Sequence, residues 1–245
     1  MNIKKWILVV IFCFLIFIFC ILGYLIFFSG KGTNSVNSDI SDIIKNSNGG
    51  NKLLFGEIIK ELPDEYNSND VAGFINFPSS AITIPLMQGS DNDYYLNHTP
   101  DGKENYVGSI FLDYRLDIEE SKKLLVYGHS SKKGEFPFNF LQNYYLDKDY
   151  FLENKNIEIV TNSNKKSYEI FSVYVDTSDF SYMETDYVND DEYLSHIEDL
   201  KNKSIYDTGI KLSSLDEILI LQTCSTHDDY KDYENKYLLI IARRV

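Results

Sequence analysis

The stretch Ile218-Leu219-Ile220-Leu221-Gln222-Thr223-Cys224-Ser225-Thr226-His227 decides how the rest of the chain is read. A short apolar run bounded by polar residues is a strand, and this one ends on a cysteine where the polar residues begin. A strand end is rigid yet open to solvent, a good place for a nucleophile. The chain has three cysteines, and the other two, Cys13 and Cys20, lie in an apolar N-terminal run. Cys224 therefore has no disulfide partner outside that run and is either a small buried hydrophobe or a working thiol. Its polar C-terminal neighbours favour the thiol. The sequence contains no CxxC or HExxH pattern, which argues against a structural zinc site. No metal and no cofactor is expected.

Working outward, similar runs recur from Val71 onward: Val71–Phe77, Ile82–Met87, Val107–Asp113, Lys123–Gly128, Asn156–Thr161, Tyr168–Asp176, Glu217–Thr223 and Tyr237–Arg243. Turn chemistry separates them, as in Pro78-Ser79-Ser80, Thr99-Pro100-Asp101-Gly102 and Thr161-Asn162-Ser163-Asn164. One helix interrupts the strands over about Asp190–Lys201, with Tyr193, Leu194, Ile197 and Leu200 on one face and an Asn/Asp cap before it. A second, short helix is expected at Phe138–Tyr145. Eight strands with few helices predict a mainly-β fold, an eight-stranded β-barrel with helical insertions.

The N-terminal end has a different character. Trp6–Phe28 is a run of 23 residues with no charge and no proline, long enough at roughly 34 Å to cross a bilayer core. Lys4 and Lys5 precede it and no acid occurs before Asp39, so the N-terminus is expected in the cytoplasm and the rest of the chain outside. A cleaved signal peptide would have a shorter apolar core and a small-x-small site, whereas this run ends Tyr24-Leu25-Ile26-Phe27-Phe28. The expected organisation is thus 1–28 as cytoplasmic start and uncleaved transmembrane anchor, 29–54 as linker and stalk, and 55–245 as an extracellular catalytic domain. Ile40, Ile43 and Ile44, then Leu53, Leu54, Ile58, Ile59 and Leu62, have helical spacing, which suggests a helical stalk.

Composition narrows the function classes. Of 245 residues, 44% are hydrophobic and 24% charged, so the chain is not disordered as a whole. Lys and Arg total 23 against 37 Asp and Glu. Leaving out residues 1–28, with Lys4 and Lys5, takes the net charge from −14 to −16. Nucleic acid is excluded as a partner, since its phosphates call for a cationic surface.

A thiol nucleophile needs a proton acceptor within reach. His129 closes the apolar strand Leu124-Leu125-Val126-Tyr127-Gly128, the same kind of position as Cys224. His227 lies three residues after Cys224 in a polar loop, His196 on the predicted helix, and His98 in a loop before Thr99-Pro100. His129 and His227 are the two candidates, with His129 preferred because geometry precedes pKa in choosing a base.

Several segments together resemble the class B sortases. Ile220-Leu221-Gln222-Thr223-Cys224 is similar to the TLxTC signature of that family, and Gly128-His129 after an apolar strand is similar to its catalytic histidine segment. Gly108-Ser109-Ile110-Phe111-Leu112-Asp113-Tyr114-Arg115 resembles a GSIFxDYR segment. Gly73-Phe74-Ile75 with Pro78, Ile84-Pro85, Gln88-Gly89, Asp91-Asn92 and Tyr95-Leu96 follow the same order, and Thr185-Asp186-Tyr187 before the helix resembles the insertion that separates class B from class A. The resemblance covers about 55–245. It implies a sortase-type barrel with a helical insertion before the penultimate strand. It also implies a membrane-anchored cysteine transpeptidase of Gram-positive bacteria, which cuts an NPxTx-like sorting motif of a surface protein after its Thr. The acyl group is then held on the Cys as a thioester and passed to an amine of the cell-wall peptide or its precursor.

One departure stands out against the family pattern. Class B sortases begin the last strand with an Arg facing the Cys, and here the segment reads Tyr237-Leu238-Leu239-Ile240-Ile241-Ala242-Arg243. With Ala242 in register, Tyr237 takes the Arg position and Lys236 precedes it. Arg243 is on the same strand face but roughly 20 Å further on. Either Tyr237 donates a hydrogen bond, or Lys236 supplies the charge, or activity is reduced; Tyr237 is the expected donor. The resemblance further implies a substrate groove formed by Thr177, Tyr182, Met183 and Gln222. Two other readings use the same residues: an endopeptidase with water as acceptor, and a non-catalytic binding protein on the same barrel.

Overall fold

A computed structural model of the chain describes residues 69–245; the expected anchor at 6–28 and stalk helices before 63 lie outside them. Among the described residues, no helix is long and apolar enough to cross a membrane. The elements in chain order are β1 (Val71–Phe77), β2 (Ile82–Met87), β3 (Ile110–Leu112), β4 (Lys123–Tyr127), α1 (Gln142–Leu146), α2 (Lys148–Glu153), β5 (Asn156–Val160), β6 (Lys165–Asp176), α3 (Asp190–Asn202), β7 (Ile218–Cys224) and β8 (Tyr237–Arg244). The strands close into a barrel in the order β1-β2-β3-β4-β7-β8-β6-β5. The mainly-β expectation and the helical insertion before the penultimate strand both hold.

Alternation along the strands divides two layers. Leu124 and Val126 of β4, Leu219 and Leu221 of β7, and Leu238, Ile240 and Ala242 of β8 join residues from the other strands in the barrel interior. The alternate residues Leu125, Tyr127, Ile218, Ile220, Leu239 and Ile241 face outward, where Tyr193, Ile197 and Leu200 of α3 cover them. This is why 218–221 is unbroken apolar sequence: both faces of β7 are buried. Burying each of the three α3 side chains contributes roughly 1.5–3 kcal/mol. α3 starts where Asn189 accepts from the Glu192 N–H, and three acids occupy its first turn, both favourable at a helix N-terminus.

Some boundaries differ from the periodicity. The third strand is only Ile110–Leu112, because Gly108 takes a left-handed φ of 63° and Asp113 turns into a polar network. β6 begins three residues earlier than its apolar pattern, at Lys165. Phe138–Tyr145 resolves into a 3-10 turn, Asn139–Leu141, running into α1. α2 was not expected; the Asp147 carboxylate caps it, accepting from the Asp149 and Tyr150 N–H groups.

A buried polar cluster fastens α3 to the barrel. The Lys123 ammonium, at the start of β4, donates to the Glu184 carbonyl, to Tyr187 Oη (3.1 Å) and to His196 Nε2 (3.3 Å). Glu184 Oε2 lies 3.8 Å from His196 Nδ1. Burial pushes His196 down to about 4, and the Lys123 and Lys203 charges add to that while Asp179 opposes it. An unfolded histidine titrates near 6.5, so between pH 6.5 and 4 the unfolded chain binds more protons than the folded one. Stability from this group is complete above pH 6.5 and is lost as pH falls towards 4. Chemical denaturation from pH 4 to 6.5 should therefore show unfolding free energy rising with pH, with a smaller rise in His196→Gln; equal slopes in the two proteins would remove His196 as the cause.

Candidate active site

Three neighbouring strand ends meet on the outer face of the barrel. β4 and β7 run parallel with Tyr127 opposite Gln222, and the Gly128 N–H continues the ladder to the Gln222 carbonyl at 3.2 Å. His129 comes two residues after Tyr127, and Cys224 two residues after Gln222. On the other side, antiparallel pairing puts Cys224 directly opposite Tyr237. Opposed residues of neighbouring strands point to the same face, so Cys224 and Tyr237 share one face of the sheet. Gln222 shares this face, and Thr223, fully buried, points into the barrel.

Cys224 is exposed and is the free cysteine among the described residues. The protein packed around its sulfur nevertheless pushes the thiol up, and Lys236 pulls it partly back. A raised thiol needs a base at the moment it attacks. His129, in the loop after β4, has its Nε2 2.8 Å from the Leu96 carbonyl. A carbonyl only accepts, so Nε2 carries the proton, and Nδ1 is left to take one.

Two glycines make this placement possible. A Cβ on Gly108 would sit 2.5 Å from the Leu96 carbonyl oxygen, so only glycine lets 108–109 pack behind that carbonyl. A Cβ on Gly128 would sit 2.6 Å from the Phe138 ring, which folds back as the Phe138 N–H bonds the His129 carbonyl at 3.0 Å. The Gly-Ser and Gly-His pairs singled out in the sequence thus serve the same imidazole from two sides.

The other histidines have structural partners. His227 Nδ1 accepts from the Asp229 N–H at 3.4 Å and caps a 3-10 turn, with its ring 5.0 Å from that of Tyr145. His98 stacks on Tyr94 at 3.9 Å, and His196 belongs to the Lys123 cluster.

Opposite the ladder, the β6–α3 connection forms a wall. Thr177 follows β6, whose last residue Asp176 pairs with Tyr237; the Asp176 carboxylate accepts from the N–H groups of Ser178, Asp179 and Phe180. Met183 is exposed, whereas Tyr182 is buried, its ring 6.5 Å from that of Tyr237. Burial pushes the Tyr182 phenol up, with smaller contributions from Tyr127, Tyr237, Asp176 and Cys224. Tyr237 reaches Asn235 Oδ1 only weakly, at 3.4 Å. Lys236 Nζ donates to the Lys231 carbonyl at 3.1 Å.

Sequence reasoning missed two supports. Arg115 pairs with the fully buried Asp113 (2.7 Å), which also accepts from Tyr127 Oη (2.9 Å) and Asn92 Nδ2 (3.0 Å); the guanidinium also reaches the Met183 carbonyl at 3.3 Å. Gln142, on α1, bonds the segments that follow both strand ends. Nothing local in the sequence marks that glutamine. Among the described residues no group of three or more His, Cys, Asp or Glu could hold a metal.

Comparison with known proteins agrees with this geometry. The sortase domain family matches residues 75–245. Sortase B of Listeria monocytogenes is 35% identical over 192 residues, 78% of this chain and 76% of that protein. Sortase B of Staphylococcus aureus is 28% identical over 177 residues, 72% and 70% of the two chains. The crystal structure of Clostridium perfringens sortase B superposes with a TM-score of 0.65 at 28% identity, covering 74% of this chain and 98% of that one. With the barrel and an exposed cysteine at its rim already described, this chain belongs to the sortase family of cysteine transpeptidases, and its relatives place it in class B.

Proposed function

We propose that this sortase is tethered to the membrane by residues 6–28, outside the cytoplasm. There it cleaves an NPxTx-like sorting motif of a surface protein after its Thr and joins the new carboxyl end to an amine of the cell-wall peptide. The observation that supports this reading is that the exposed Cys224 ends β7 opposite Tyr237 of β8, while β4, which His129 follows, pairs with β7 up to Tyr127 and Gln222.

The chemistry follows from the two nitrogens of His129. Nδ1 takes the Cys224 proton as sulfur attacks the Thr carbonyl carbon, giving an imidazolium that Nε2–H···O=C Leu96 holds in place. The C–N bond breaks, Nδ1 returns the proton to the leaving amine, and the acyl group remains on sulfur as a thioester. The wall-peptide amine then attacks that carbonyl, loses its proton to Nδ1, and sulfur leaves and is reprotonated. Splitting one difficult exchange into two steps is what a nucleophilic thiol offers. Thr177, Met183 and Gln222 border the groove that takes the peptide, with Tyr182 as its floor. Tethering raises the effective concentration of enzyme towards substrates at the same surface.

The test is product analysis with a synthetic NPxTx peptide and a wall-peptide amine. A new amide is expected from the unmodified protein and none from Cys224→Ala, with a loss of ~10²–10⁴-fold in His129→Ala, the usual span for a general acid–base. Hydrolysis without amide product would make it an endopeptidase, and turnover by Cys224→Ala would end the assignment.

Tyr237 stands where the family has arginine. A donor aimed at the oxyanion contributes about 10²–10³ in rate, and a phenol offers one neutral hydrogen bond where a guanidinium offers a charged fork. Its weak bond to Asn235 leaves the hydroxyl available. Steady-state rates should fall in Tyr237→Phe and be kept or raised in Tyr237→Arg; a silent Tyr237→Phe alongside an inactive Lys236→Ala would transfer the role to Lys236.

The tether has its own check. Protein isolated from host membranes should still contain Trp6–Phe28, and an N-terminus near residue 30 would replace the anchor by a cleaved leader.

A further inference from the structure

We infer that Gln142 is a positioning residue that locks the Cys224 and His129 strand ends to each other. The inference rests on those two side chains acting as nucleophile and base.

Gln142 opens α1, well away in sequence from both strand ends, and is buried. Its Nε2 donates to the Cys224 carbonyl (3.1 Å) and to Ser130 Oγ (3.1 Å), and its Oε1 accepts from the Thr226 N–H (3.1 Å). The side chain therefore spends both donor hydrogens and its acceptor on residues beside the reacting pair. Ser130 follows His129 directly, and Thr226 is two residues after Cys224. The amide's orientation is fixed by its partners: a carbonyl only accepts and an N–H only donates, so exchanging the oxygen and nitrogen of Gln142 would put like against like at both main-chain contacts.

The ladder itself stops short of this point. The last β4–β7 bond is from Gly128 to Gln222, before either His129 or Cys224 is reached. On the other side Ser225 N–H bonds the Lys236 carbonyl at 2.8 Å, which ties Cys224 to β8 but not to β4. Gln142 supplies the missing cross-link. α1 also holds the rest of the β7–β8 loop, through Tyr145 Oη and Tyr230 Oη at 2.8 Å. A misplacement of about 1 Å between reacting groups can cost 10²-fold in rate, so a link that fixes the separation of two strand ends acts on the chemical step rather than on peptide binding.

Gln142→Met keeps the length of the side chain and removes all three bonds. Tyr144→Phe is the control: it removes a buried hydrogen bond of the same helix, from Tyr144 Oη to the Asn154 carbonyl (2.9 Å), that touches neither strand end. Full-length protein is assayed with the NPxTx peptide and wall-peptide amine, below the melting range of every variant. In Gln142→Met, kcat should fall about tenfold to a hundredfold with KM within twofold, while Tyr144→Phe keeps its kcat. Amide exchange at Thr226, read by mass spectrometry, should accelerate in Gln142→Met and not in Tyr144→Phe. Unchanged kcat in Gln142→Met, a loss confined to KM, or an equal loss in Tyr144→Phe would overturn the inference. Absence of product from unmodified protein would instead sink the functional reading, and unchanged Thr226 exchange would still refute the lock by itself.

Discussion

The parallel pairing of β4 with β7 is the constraint on which this structure depends. Two segments far apart in sequence are hydrogen-bonded in a register that sets Tyr127 opposite Gln222, and the layout of the rim depends on it. A slip of one residue would turn Cys224 into the barrel and Thr223 out to solvent. The slip is opposed on both sides of β7 at once. Leu219 and Leu221 belong to the interior, Ile218 and Ile220 lie under α3, and neither set could move without exposing the other.

Polar groups are placed where this apolar framework ends. Asp113 is fully buried and would be costly alone; Arg115, Tyr127 and Asn92 share its charge, so removing a partner would leave a buried carboxylate less compensated. The network links the loop after β3, the strand leading to His129 and the β6–α3 connection. The Lys123 cluster does the same for the other end of the insertion.

The four histidines show how one residue type is divided by its surroundings. His129 turns one nitrogen to a carbonyl, His227 turns a nitrogen to a backbone N–H, His98 stacks on a tyrosine, and His196 is buried against a lysine. Among these, His129 is the base proposed for Cys224. Spacing favoured it because it closes a strand, yet spacing could not exclude His227, three residues from Cys224. In the structure its Nδ1 caps the turn at Asp228–Tyr230.

Strand number, the barrel, the inserted helix and the cysteine at a strand end were all legible in the sequence. Burial on one or both faces leaves a periodic or continuous apolar record in the chain, and turn and cap residues mark where it stops. The departure at Tyr237 was equally readable, since it is a matter of register within one strand. The lengths of β3 and α2 were not, because Gly108 and Asp147 act through backbone angles and a single cap. The Gln142 cross-link, the Leu96 carbonyl behind His129 and the Arg115 network left no pattern either. Each joins groups from separate elements through one or two hydrogen bonds, so it exists only once the barrel has closed and brought those elements together.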